Sequence, residues 1–181
     1  MRTLTLTAML LSSALPAAAG PIATEFDRGV GGIGWLMPLS EIIERFPGGA
    51  HLISTSAGCR AYVVNIEDTL FGIERPGFTV QYFIGARGLV DSMAIAFPWG
   101  RRDELVRTLI GRFGPYLRRT DIGKQTYYEW KEDAGMNLRV FEMQDPTVGI
   151  LEVAISGPDH AKSRPCPTKV TGQLTNDWNV R

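Results

Sequence analysis

Histidine and cysteine are scarce in this 181-residue chain, which has two of each. His51, His160, Cys59 and Cys166 are too widely spaced for a zinc-ligand pattern, and there is no Cys-x-x-Cys redox pair. Neither a metal nor a cofactor is therefore expected. The chain also lacks an excess of either charge, with 19 Lys+Arg against 19 Asp+Glu. That balance leaves no electrostatic footprint for nucleic acid or for an anionic membrane surface. Ser54-Thr55-Ser56 is rich in hydroxyls, but no GxSxG elbow surrounds it. Beyond the first 20 residues no apolar run is long enough for a helical membrane span.

Several features are present and informative. Arg2 supplies a positive start, Leu4 to Leu15 is an apolar stretch, and Ala17-Ala18-Ala19 offers small residues. This is the pattern of a secretory signal peptide over residues 1–19, with cleavage after Ala19. No cysteine lies near that point, so a lipid-anchored lipoprotein is not expected. A periplasmic or secreted location follows, with no stable membrane insertion after cleavage. Removal of Arg2 leaves 18 basic against 19 acidic residues. The composition, 44% hydrophobic and 21% charged, suits a globular body rather than a disordered one. In an oxidising compartment Cys59 and Cys166 are expected to form a disulfide. It would close a loop of about 100 residues, valued at roughly 4–5 kcal/mol by the chain-entropy argument.

Two helices are expected from the apolar spacing. Leu39, Ile42, Ile43 and Phe46 make one stripe, stopped by Pro47-Gly48-Gly49. Val106, Leu109, Ile110 and Phe113 repeat it 67 residues later in a helix from about Arg102 to Phe113, and Arg45 maps onto Arg112. Short β-type runs follow each helix: Ala61 to Ile66, Leu70 to Ile73, Phe78 to Ile84 and Leu89 to Phe97, then Gln125 to Trp130, Asn137 to Met143 and Gly149 to Ile155. Met93, Ile95 and Phe97 alternate with Ser92, Ala94 and Ala96, as a sheet with one apolar face requires.

The expected fold class is thus α+β: two tandem helix-plus-antiparallel-meander modules with helices packed on the sheet and one disulfide. The first module would span 38–98 and the second 99–156. A glycine-rich lead-in (20–37) precedes them, and a polar C-terminal arm (157–181), tethered by Cys166, follows. In layout alone, such tandem modules resemble secreted inhibitors and envelope assembly factors.

The motifs were weighed for chemistry. Gly29-Val30-Gly31-Gly32-Ile33-Gly34 matches GxGxxG, but no buried strand precedes it and Pro38 interrupts any helix opening on Gly34. A flexible lead-in is expected there instead. Glu67-Asp68 and Glu132-Asp133 fall at turns, where acidic side chains serve local hydrogen bonding. Tyr128 and Trp130 should share one face of a strand, with Tyr127 on the other.

Pro98-Trp99-Gly100-Arg101-Arg102-Asp103-Glu104 is the segment with most promise. Asp103 and Glu104 suit a helix N-terminus, whereas Arg101 and Arg102 oppose its field. Either the arginines pair with nearby carboxylates, or Trp99, Arg101 and Arg102 form a partner contact, using residue types common at hot spots. The expected function is an exported non-enzymatic binding protein: an envelope assembly factor, an inhibitor or an accessory subunit. Its partner would be another envelope or secreted protein, not nucleic acid. The alternatives are a periplasmic hydrolase assembled from scattered residues such as His51, Ser54 and a turn carboxylate, or a carrier of a small apolar ligand.

Overall fold

Alternation at every second residue, rather than helical periodicity, builds most of this protein. The computed structural model describes residues 19–54, 59–77, 79–85, 87–144 and 149–158. Its strands are β1 (Ala50–Ser54), β2 (Cys59–Asn65), β3 (Thr69–Leu70), β4 (Ile73–Glu74), β5 (Thr79–Ile84), β6 (Val90–Phe97), β7 (Arg118–Ile122), β8 (Gln125–Glu129), β9 (Asn137–Met143) and β10 (Ile150–Ser156). The helices are α1 (Pro21–Glu25), α2 (Leu39–Arg45) and α3 (Arg102–Phe113), the last reached through a 3-10 turn at Trp99–Arg101.

The expected fold class is corrected here. Instead of two modules, eight strands form one antiparallel sheet in the order β1-β2-β5-β6-β10-β9-β8-β7. The closing contact is β6 against β10, in register from Leu151↔Phe97 to Ser156↔Ser92. Left as separate meanders, β6 and β10 would each present a long, apolar edge of unpaired N–H and C=O groups. Pairing them satisfies those groups and merges two small cores into one. A single cluster of buried side chains runs from Tyr62 on β2 to Tyr128 on β8 and takes in all three helices. The helices are few and short against this sheet. The disulfide of the expected fold class is corrected as well: among the described residues none is formed. Cys59 opens β2 opposite Ser54, and Cys166 lies outside the described residues.

The strands expected from alternation differ in two places. Leu70 to Ile73 is not one strand but the hairpin β3–β4, reversed at Phe71 and Gly72, both with positive φ. β7 adds an edge strand that apolar spacing does not signal, because its side chains are largely exposed.

The lead-in is packed rather than loose. Ile22, Phe26, Val30 and Ile33 are buried in the main core. Asp133 holds α1 from the far end of the sheet, accepting hydrogen bonds from the N–H groups of Gly20 (2.8 Å) and Ala23 (2.9 Å). Gly31 and Gly32, at φ +62° and +77°, let Val30 and Ile33 pair across a tight turn. That is the use of the glycine motif.

Behind β5, Arg75 is the largest fully buried side chain. Its guanidinium donates to Asp68 (2.6 Å), to Ala96 O (2.8 Å) and to Thr79 O (3.1 Å), and lies 5.1 Å from the Phe97 ring centroid. It joins the β3–β4 hairpin to the end of the sheet. Burial lowers the pKa of Arg75, with Asp68 opposing, so the pair is held by hydrogen bonds in a partly desolvated place.

Candidate functional site

The start of α3 meets the sheet at a place where charge and an exposed aromatic come together. Pro98 ends β6 and turns the chain through Trp99–Arg101 into the helix. Among the described residues no side chain caps the helix N-terminus by hydrogen bonding, and Asp103 and Glu104 occupy its first turn. There the carboxylates complement the partial positive charge of the unpaired N–H groups.

The two arginines are matched by neighbours. Arg101 donates to Glu104, one turn along. Arg102 donates through Nε to Asp103 (2.8 Å) and through Nη1 to Glu142 Oε2 (3.1 Å). Glu142 sits on β9 at the helix-facing register, in line with Leu138 and Val140, and is buried. Arg102 therefore ties the first turn of α3 to the sheet. The hydrogen bond from Arg102 holds the Asp103 carboxyl below its ordinary range, and Arg101 does the same for Glu104. Asp103, then Glu142, raises the pKa of Arg102. Arg101 and Arg102 are thus both paired with carboxylates.

Trp99 has no such partner in charge. Its residue is 47% exposed. The indole sits against the backbone of Gly149, where a Cβ would lie 2.7 Å from Cδ2, too close for any side chain. Trp99, Gly100, Arg102, Asp103, Glu142 and Gln144 line an open cleft of about 300 Å³. The structure thus brings Trp99 and Arg102 to one cleft and turns Arg101 toward Glu104 beside it. Glu142, Gln144 and Gly149 are the members that sequence reasoning missed. Only Glu142 carried a signal, as a charge in the buried phase of an otherwise apolar strand.

The other candidates are accounted for separately. His51, exposed on edge strand β1, lies edge-on to Tyr62 with centroids 5.0 Å apart. Tyr62 donates to Phe46 O (2.6 Å). The Ser54 side chain, His160 and Trp178 lie outside the described residues. Asp68 pairs with Arg75 and Asp133 caps α1, so each turn carboxylate pair has a structural use. Tyr128 and Trp130 are buried in the core, whereas Tyr127 stands on the other face beside Phe141 at 5.1 Å. Among the described residues no group of three or more His, Cys, Asp or Glu could hold a metal ion. No helix among them is long and apolar enough to cross a membrane.

Comparison of the chain with protein families, with curated proteins and with solved structures finds no match.

Proposed function

We propose that this is an exported, non-enzymatic binding protein that contacts another envelope or secreted protein through the head of α3. The observation that carries this reading is Trp99. It is a half-exposed indole packed against Gly149, beside a cleft where Arg102 is paired with Asp103 and Glu142. Large, rigid aromatic side chains of this kind supply contact area at low entropic cost, which is why tryptophan is enriched at hot spots. Arg102 lines the same cleft as the indole.

The rival readings find less support. A carrier of an apolar molecule needs a largely apolar pocket, whereas this cleft is walled by Arg102, Asp103 and Glu142. A hydrolase built on His51 needs a hydroxyl and a carboxylate at hydrogen-bond distance, and the neighbour seen at His51 is a tyrosine ring.

The test is affinity purification from the native envelope fraction with mass spectrometry, using the natural chain and the double variant Trp99→Ala/Arg101→Ala. Partner recovery should fall at least tenfold while the melting temperature stays nearly unchanged. Equal recovery by both proteins would reject the site.

A further inference from the structure

Gln81 and Glu152 meet on the face of the sheet that turns away from the main core. β6 lies between their strands and presents only small side chains there, Ala94 opposite Gln81 and Ala96 opposite Glu152. Two methyl groups leave room for the long side chains to cross, and Gln81 Nε2 donates to Glu152 Oε1 at 3.2 Å. This contact spans the β6–β10 seam. It therefore ties a strand from the first half of the chain to one from the second.

One atom of the pair is left over. Gln81 Oε1 is buried and has no hydrogen-bond partner among the described residues. A carboxylate can only accept, so an ionised Glu152 serves Nε2 and leaves that oxygen stranded. A carboxylic acid carries a donor and an acceptor on one planar group, the complement of a primary amide. Protonated on Oε2, Glu152 donates to Gln81 Oε1 while its own Oε1 still accepts from Nε2. Both side chains are then satisfied without a third partner.

The surroundings favour the acid form. β6 has one charged residue, Asp91, at the far end of the strand and hydrogen-bonded by Ser92 (3.0 Å). β9 sets Phe141 opposite Glu152 and Arg139 one step along the same face. Arg139 is engaged by Glu129 on β8 (3.0 Å), which also pairs with Arg118 on β7. β5 brings Thr79, Gln81 and Phe83 to this face, and β10 adds Ile150 and Ala154, none of them charged. Ala94 belongs with Ala61 and Phe83 to a small buried apolar cluster. Burial accordingly pushes the Glu152 carboxyl above its ordinary value.

We propose that Glu152 is a carboxylic acid in the folded protein and closes a ring of two hydrogen bonds with Gln81, a latch that holds β5 to β10 over β6. The latch is complete in acid, where the carboxyl is protonated in folded and unfolded chains alike. Its contribution is lost as pH rises through the Glu152 midpoint of the folded protein, when Gln81 Oε1 loses its donor. The seam between the two halves of the sheet is thus a pH-sensitive joint.

The test follows Glu152 by carboxyl-carbon NMR and Gln81 by its side-chain amide resonances through one pH titration of the mature chain. Glu152 should titrate above the ordinary glutamate value, and the Gln81 amide should shift with the same midpoint. Glu152→Gln supplies the second hydrogen bond without a proton. Its melting temperature should match the natural chain in acid and exceed it by a few degrees once the pH has passed that midpoint. A Glu152 titration at or below the ordinary value, as a bound cation would produce, would overturn the proposal. A raised titration that leaves the Gln81 amide unmoved would do so too, since burial alone would then hold the proton. If Glu152→Gln does not fold, the two resonances of the natural chain decide the matter by themselves.

Discussion

The indole of Trp99 occupies the volume that any side chain at residue 149 would need. Sequence position separates these two residues by half a hundred, and the pairing of β6 with β10 brings them together. Gly149→Ala should therefore displace Trp99 without touching the cleft's charges. The expected result is a partner-binding loss like that of Trp99→Ala, with a changed tryptophan emission spectrum. Partner recovery and emission both unchanged by Gly149→Ala would show that the seat of the ring is unimportant.

Arg102 is the only described cation on the buried Glu142. Arg102→Met should destabilise the fold by roughly 1–3 kcal/mol, because it strands a carboxylate that the sheet has partly desolvated. Adding Glu142→Leu to that variant should restore part of the loss, since the stranded charge is then gone. Urea unfolding of the two single variants and the double variant gives the coupling. Additive losses would mean that the pair contributes nothing jointly.

Arg75 presents a harsher case. It has no exposed surface and supplies donors to two backbone carbonyls as well as Asp68. Arg75→Met should cost roughly 3–5 kcal/mol, and Arg75→Lys should recover little, because an ammonium cannot reproduce the planar fork. Thermal unfolding of both proteins checks this, and a loss below about 1 kcal/mol would contradict the assigned role.

The pH dependence of the α3 head has a definite sign. Asp103 and Glu104 bind protons less readily in the folded state than their ordinary values of 3.8 and 4.5. Their contribution is therefore complete above those values and is lost as pH falls through the lower folded ones. The melting-temperature difference between the natural chain and Asp103→Asn/Glu104→Gln should be constant from pH 7 to about 5. It should shrink progressively as the pH falls below those ordinary values. A difference that grows in acid would reverse the assignment.

How much could be read beforehand depended on what each residue type can report. The stripe Val106, Leu109, Ile110 and Phe113 marks α3, which runs over Arg102–Phe113. Met93, Ile95 and Phe97 report which face of β6 turns to the main core, although the strand is buried on both faces. Alternation does not say which strand comes alongside, so the pairing of β6 with β10 left no trace in it. β7 reads Arg-Arg-Thr-Asp-Ile because an edge strand with exposed charge needs no apolar phase and is protected by those charges from pairing further. The lead-in misled because its glycines suggest looseness, whereas Ile22, Phe26, Val30 and Ile33 fix it to the core. At the site, Trp99 and Arg102 stood out by residue type. Gly149 could not, since its part is to have no side chain. Gln81 and Glu152 meet only across an intervening strand, 71 residues apart.

The β6–β10 seam also shapes how the chain must be made. Its partners are 54 to 64 residues apart, so the sheet cannot close until most of the second half has emerged from the ribosome. Until then β6 waits as an apolar open edge, the kind of surface on which nascent chains associate wrongly. A chain in that state needs to be kept unfolded or escorted until the last strand arrives.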